Sequence, residues 1–440
     1  MPSDPATIAS PSPIEPVKAS VTPLSDARPR RALRVCLLGY RSAPYGGGQG
    51  IYLKYLSKAL VEAGHQVDVI SGQPYPHLDP RVNLIKMPGM NLFETGLGSI
   101  RPHHLRSLTN IYEWTGKLTG AFSEPYCFGR RVLKYLKQHG RHYDIIHDNQ
   151  CLSYGMLDLQ KQGFPLITTI HHPITSDMSI ALSAAKSWME RLMIRRWHSF
   201  LIMQRRVARE LHHVVTVSER SRTDIAAAFD IQPAGISLVH CGIDTEEFRP
   251  LEHIVKKPNR IMATVSSDQP LKGMRYLLEA VAAVIPRYPD LELLLVGTPK
   301  EDGESGRLIR ELGLSKHIRA VSGISTEDLV KYYNEASVVV VPSIYEGFGL
   351  PAGEAMACGT ALISTDGGAL PEVVGDAAIQ VPIRDSKAIA EVLDTLLASP
   401  AWRDELAAAG RARIEELFCW TRAAQQMTNY YWQVIQRENG

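Results

Sequence analysis

Four consecutive valines, Val338 to Val341, sit at the centre of ASVVVVPS. β-Branched residues at every position leave no polar face, so a strand made of them must be covered on both sides. That is a strand of a parallel sheet with helices above and below it. The rest of the chain repeats the requirement. ALRVCLLGY, QVDVIS, YDIIHDN, PLITTIHHP and HHVVTVSERS are short apolar runs in the first half; RIMATVS, LELLLVG and TALISTD follow in the second. Between them run segments of helical spacing, such as Tyr52, Tyr55, Leu56, Ala59, Leu60 and Ala63 before the stop at Gly64. Strands alternating with helices predict an α/β fold with doubly wound parallel sheets. Ligands of such sheets bind at the carboxyl ends of the strands.

A chain of 440 residues exceeds one ordinary core, and the pattern restarts after a polar stretch near Asn259. The division expected is a disordered Pro/Ser-rich tail over 1–30, a first Rossmann-like domain over 31–242, a second over 243–420, and a C-terminal helix over 421–440 that packs back on the first domain. A cleft between the two domains is predicted. The net charge of +2 gives no ground for a nucleic-acid partner. Six scattered cysteines form no CxxC pair, which argues against a zinc knuckle and fits a reducing cytoplasm. No apolar run has the length to span a bilayer, so any lipid work would be done from the inner face of the cell membrane as a peripheral protein.

YEGFGLPAGE, Tyr345 to Glu354, carries the chemistry. Glu346 and Glu354 flank glycines that let a backbone approach a ligand, and Pro351 suits a helix start. Free N–H groups at that start favour a phosphate. Carboxylates beside a phosphate are tolerable where they accept hydrogen bonds from hydroxyls. A nucleotide sugar offers both, as a diphosphate between a ribose diol and hexose hydroxyls. On spacing alone, a helix-start acid beside a solvated turn stands level with this reading.

EGFGLPAGEAMACGTALISTDGGALPEVV resembles the signature of retaining GT-B glycosyltransferases of family 4: Glu, seven residues, Glu, then a Gly-Gly loop ending in Glu. VVTVSERSRTDI, VHCGIDTEEFRP, the Lys272-Gly273 pair and the glycine loop after the first strand extend the likeness over residues 33 to 435. The resemblance implies a hexose-type sugar moved from a UDP- or GDP-sugar to an acceptor hydroxyl on a lipid or envelope saccharide. It implies acceptor binding by the first domain and nucleotide-sugar binding by the second. Glu354 would hold the ribose, and Glu346 the transferred sugar, beside the backbone of Phe348, Gly349 and Leu350. Lys272 would neutralise the diphosphate. Gly323 and Ile324 would hold the base, Gly47 and Gly48 would line the cleft, and His171 would face the reacting sugar, a role that its neighbour His172 could take instead. Lys272, Glu346 and His171 form the expected catalytic set. No DxD-type clamp occurs, so no metal or other cofactor is expected.

The family's second diphosphate-binding arginine is missing, because Ser266 and Ser267 occupy its positions. Arg275 and Arg41 are candidate substitutes. Two rivals remain: a catalytically silent sugar-nucleotide-binding partner, suggested by the missing arginine, and a GT-B sugar-nucleotide epimerase, against which the Glu-x7-Glu pattern argues. GGGQG, Gly46 to Gly50, has neither GxGxxG spacing nor a Walker lysine. His147 and Asp148 end a strand and read equally as a structural pair or a substrate contact. Lys186 to Glu210 reads as a basic amphipathic helix with seven Lys/Arg and two Glu. An anionic membrane surface and the first domain are both candidates for its apolar face. The Arg- and His-rich insertion from Pro88 to Arg130 would shape acceptor choice.

Overall fold

The computed structural model describes residues 31–44, 48–264 and 269–439. Within them lie two parallel sheets. The first has seven strands, β1 (Arg34–Gly39), β2 (Gln66–Ser71), β3 (Asn83–Lys86), β4 (Ile145–Asn149), β5 (Leu166–Ile170), β6 (Val214–Thr216) and β7 (Ile236–Leu238), in the order β3-β2-β1-β4-β5-β6-β7. The second has six, β8 (Lys257–Thr264), β9 (Glu292–Val296), β10 (Ile318–Val321), β11 (Ala336–Val341), β12 (Ala361–Thr365) and β13 (Ile379–Val381), in the order β10-β9-β8-β11-β12-β13. All six residues of the valine strand β11 are buried, as are all five of β4, β5 and β12. The doubly wound α/β class follows from this need for cover on both faces.

In each sheet the strand order reverses beside the first strand, between β1 and β4 and between β8 and β11. The crevice at such a reversal is where loops part and a ligand fits. The loops leaving β1, β4 and β5 therefore line one wall of a cleft, and those leaving β8 and β11 line the other.

The last helix, Trp420–Asn439, lies against the helix Gly48–Glu62, where Trp420 stacks on Tyr55 with ring centroids 6.1 Å apart. Its buried Tyr431 hydroxyl meets His147 Nδ1 at 2.7 Å, while His147 Nε2 meets Thr169 Oγ1 at 2.6 Å. Burial holds the His147 imidazole down to about 3, so it stays neutral. Asp148 accepts the backbone N–H groups of Cys151 and Leu152, and burial pushes its carboxyl up to about 7. Of the two readings of His147 and Asp148, the structural one holds.

The stretch Lys186 to Glu210 is not one helix. It divides into Trp188–Trp197 and Leu201–Glu210 across a tight turn at His198–Phe200, where His198 Nδ1 bonds the Ile194 carbonyl at 2.7 Å. The second piece buries Leu201, Met203, Val207 and Ala208; the first buries nothing. No helix among the described residues is long and apolar enough to cross a membrane.

Candidate active site

After β11 the chain turns through Pro342 and Ser343 into the bend and then the helix Leu350–Ala357. Gly349 initiates that helix at φ +99°, a left-handed conformation that side chains avoid. After β8 the chain makes a tight turn at Pro270–Lys272. The two loops are tied by a backbone bond from Ile344 N–H to the Leu271 carbonyl, 2.8 Å. That tie places Lys272 Nζ 2.7 Å from Glu346 Oε1, which also accepts from Ser343 Oγ at 2.7 Å. Both side chains are partly buried, so the charge pair is only partly screened.

The bend faces the first domain directly. The Gly347 carbonyl accepts from Ser218 Oγ at 2.8 Å and from Ser221 Oγ at 3.0 Å. Tyr345 donates its hydroxyl to Asp224 at 2.9 Å. A Cβ on Gly347 would stand 3.0 Å from the His171 carbonyl and 3.3 Å from His172 Cβ. Glu372, in the Gly-Gly loop, accepts the N–H of Glu219 at 2.9 Å and meets His240 Nε2 at 2.7 Å. Its negative charge sits on the N-terminus of the helix Glu219–Phe229, where the helix dipole favours it.

His171 leaves the end of β5. Its backbone N–H donates to Gln150 Oε1 at 2.8 Å, and its Nε2 donates to Asn149 Oδ1 at 2.6 Å. Asn149 in turn donates to the Gln49 carbonyl, which fixes the orientation of its amide. The ring meets Tyr52 edge-on at 4.7 Å. Burial lowers this imidazole to about 3, so it is a neutral hydrogen-bonding group at ordinary pH.

Glu354 stands on the second turn of the helix and accepts the hydroxyl of fully buried Tyr333 at 2.9 Å. Burial pushes its carboxyl up to about 7. A hydroxyl-bearing ligand would relieve that cost by donating to the oxygens. Phe348 turns its ring into the core against Phe418, leaving only its backbone toward the cleft. Leu350 opens the helix, and its N–H is among the groups without an intrahelical partner. Gly323 and Ile324 follow β10, three strand positions from β11, about 14 Å at the usual spacing. Gly48 opens the helix Gly48–Glu62 with no atom within 4 Å of a Cβ built there.

The structure thus pairs Lys272 with Glu346 and sets the adjoining Gly347 against the His171 carbonyl, while the His171 ring turns to Asn149 and Tyr52; Glu354 stands on the helix behind the bend, and Gly323 and Ile324 lie at the far edge. Gly47, Ser266 and Ser267 lie outside the described residues. Both candidate substitute cations are paired with carboxylates. Arg275 pairs with Glu304 at 3.0 Å, in a pocket of about 320 Å³ lined also by Ile180 and Arg384. Arg41 pairs with Glu124 at 3.3 Å. Sequence reasoning missed Ser218, Ser221, Tyr333, Asn149 and Gln150, and it quoted Glu372 only as the end of the Gly-Gly loop. Ser218 had a signal, because a serine between a strand and a helix is an N-cap, and it does accept from Ser221 N–H.

Residues 46–247 match the description Glycosyltransferase Family 4, and residues 244–413 match Glycosyl transferases group 1. The chain is 42% identical over 411 residues to the MMP alpha-(1->4)-mannosyltransferase of Mycolicibacterium hassiacum, covering 92% of this chain and 99% of that protein. It is 27% identical to the D-inositol 3-phosphate glycosyltransferase of Saccharomonospora viridis, over 90% of this chain and 93% of that one. Sucrose-phosphate synthase from Thermosynechococcus elongatus superposes with a TM-score of 0.69 at 26% identity, over 92% of this chain and all of that one. Anabaena Alr3699/HepE, solved in complex with UDP and glucose, gives 0.66 at 17% identity over 91% and 100%, a likeness of fold. With this similarity running through both sheets and the cleft between them, the chain belongs to glycosyltransferase family 4, as a retaining enzyme of the GT-B fold that draws on a nucleotide-sugar donor.

Proposed function

We propose that this enzyme transfers a mannose-type hexose from a nucleotide diphosphate sugar, a UDP- or GDP-sugar, to a hydroxyl of a saccharide acceptor. The observation that carries the reading is the Lys272–Glu346 pair at the contact with His171. It sets a cation and a carboxylate beside Gly347, where the bend meets the backbone of His171 in the first domain. The 42% relative supports mannose as the sugar and a methylmannose saccharide as the acceptor class.

In this reading Glu354 takes the ribose diol, and the backbone at Gly323 and Ile324 takes the base. The amides opening the helix at Leu350 and the Lys272 ammonium hold the diphosphate. Glu346 and His171 orient the hexose hydroxyls. The bond from the anomeric carbon to the diphosphate oxygen breaks as the bond to the acceptor oxygen forms on the same face. The acceptor proton passes to the departing diphosphate. Lys272 stabilises charge that grows only as that bond breaks, which is the condition for lowering the barrier.

The test is turnover of GDP-mannose and of UDP-glucose, each with and without manno-oligosaccharides. An α-linked mannosyl product supports the reading. An isomerised donor without acceptor would establish the epimerase. Donor binding with no turnover on any acceptor would establish the silent partner.

A further inference from the structure

The pocket beside Arg275 is a chamber between the two domains. Its volume of about 320 Å³ falls within the roughly 300–1,000 Å³ usual for small-molecule sites. The first domain contributes Ile180 and Ser183 from the helix Thr175–Ala184, which packs against the Pro270–Lys272 turn. The second domain contributes Gln269 and Ile344, from the two loops that carry Lys272 and Glu346. The chamber therefore adjoins the Lys272–Glu346 pair. None of Glu354, Gly323, Ile324 and Leu350, the residues given to the donor, lines it.

Asp177 stands between the chamber and the interdomain contact at Gly347. It is one turn before Ile180, on the same face of the helix. Its Oδ2 lies 3.5 Å from His172 Nε2, and a Cβ on Gly347 would meet the other nitrogen of that ring, Nδ1, at 3.4 Å. Asp177 Oδ1 is shut off from solvent and accepts no hydrogen bond among the described residues. A carboxylate oxygen left so is costly until a donor reaches it. Exposed Arg384, also on the chamber wall, holds φ +62°, a left-handed backbone that side chains rarely adopt.

The transfer needs a second substrate within reach of Lys272 and Glu346, and the chamber is the space there that the donor leaves open. Its chemistry is mixed. Gln269 and Arg384 supply hydrogen-bond donors. Asp177 supplies an acceptor, as does Ser183, whose own hydroxyl proton goes to the Ser179 carbonyl at 2.9 Å. Ile180 and Ile344 supply apolar cover. Arg275 adds no net charge, because Glu304 pairs with it. A saccharide uses all three kinds of contact, through hydroxyls that donate and accept along the ring edge and C–H groups on the ring face. Resting on the reading of the acceptor as a saccharide, we propose that the acceptor binds in this chamber, held by both domains, and that Asp177 Oδ1 accepts a hydroxyl of the sugar nearest the reaction.

Titration calorimetry of mannotetraose into the full chain, saturated with GDP and in parallel with UDP, tests the subsite apart from turnover. Wild type should bind the saccharide. Asp177→Asn removes a charged acceptor, and Ser183→Trp fills the chamber from an exposed position. Each should weaken saccharide binding by about tenfold, while the nucleotide binds within about twofold of wild type. In steady state both variants should raise KM for the saccharide and leave KM for the donor unchanged. No saccharide binding by wild type, unaltered binding in both variants, or nucleotide binding that weakens in step would overturn the proposal. So would inorganic phosphate binding that Arg384→Ala abolishes while Ser183→Trp leaves mannotetraose binding untouched, which would make the chamber an anion site. Failure of the transferase reading itself would show as absent turnover, with saccharide binding still weakened in the two variants.

Discussion

Lys272 and Glu346 are 74 residues apart in the chain and 2.7 Å apart in space. In the proposed function the diphosphate and this carboxylate compete for one ammonium group, so the two substitutions should move nucleotide binding in opposite directions. Lys272→Ala should weaken nucleoside diphosphate binding and cut kcat by about a hundredfold or more, the usual scale for removing a group aimed at developing charge. Glu346→Gln should leave diphosphate binding equal or tighter while kcat falls. Calorimetry with UDP and GDP, beside steady-state rates, decides it. Parallel weakening in both variants would reduce the pair to a structural tie.

Glu354 gives the site a pH dependence. Its folded-state carboxyl titrates at about 7, raised by burial from the ordinary range. A raised carboxyl contributes stability that is complete below its unfolded value and is lost as pH rises through the folded value. Glu354→Gln, which cannot ionise, should therefore gain in Tm relative to wild type as pH goes from about 4.5 to 8. Nucleotide binding should run the other way in wild type, weakening below about pH 7 as the carboxylate is protonated, and this acid limb should vanish in the Gln variant. A wild-type binding curve that is flat from pH 6 to 8 would remove Glu354 from the ribose role.

The two buried histidines make a stability prediction. Both His147 and His171 are held down to about 3 by burial. Groups depressed in this way give stability that is present above their unfolded value of about 6.5 and drains away as pH falls toward 3. Tyr431→Phe removes the hydroxyl that meets His147 Nδ1 and should cost about 1–3 kcal/mol in denaturant unfolding at pH 7.5. KM for donor should be unchanged, because Tyr431 is fully buried and its hydroxyl is taken up by His147. A neutral His171 also predicts that kcat/KM has no limb near pH 6.5 that disappears in His171→Asn.

Gly347 sets how closely the domains meet. An added Cβ would press on the His171 carbonyl at 3.0 Å, an approach that the loop must yield to accommodate. Gly347→Ala should lower kcat/KM by about tenfold with little change in Tm, because it shifts the bend without opening the core. A larger loss in Tm than in activity would place the strain in the fold instead of the cleft.

The sequence by itself determined the class of fold. Val338 to Val341 can be satisfied only between two layers of helix, so the sheet was legible from local chemistry. The Glu346–Glu354 spacing marked a strand-to-helix bend for the same reason. The partners of those residues were decided by the tertiary structure alone. Glu346 meets Lys272 because β8 and β11 are neighbours in the sheet, an adjacency that no local pattern encodes. Arg275 and Arg41 carry charge near the right motifs, and only the fold shows that each is paired, with Glu304 and with Glu124. Lys186 to Glu210 had the periodicity of one helix. Whether its apolar side met the core or the solvent depended on which neighbours the fold brought to it, and that differs before and after His198. Periodicity is set by bonded neighbours and backbone geometry, whereas pairing across the cleft is set by how two sheets, each closed on its own core, come to face each other.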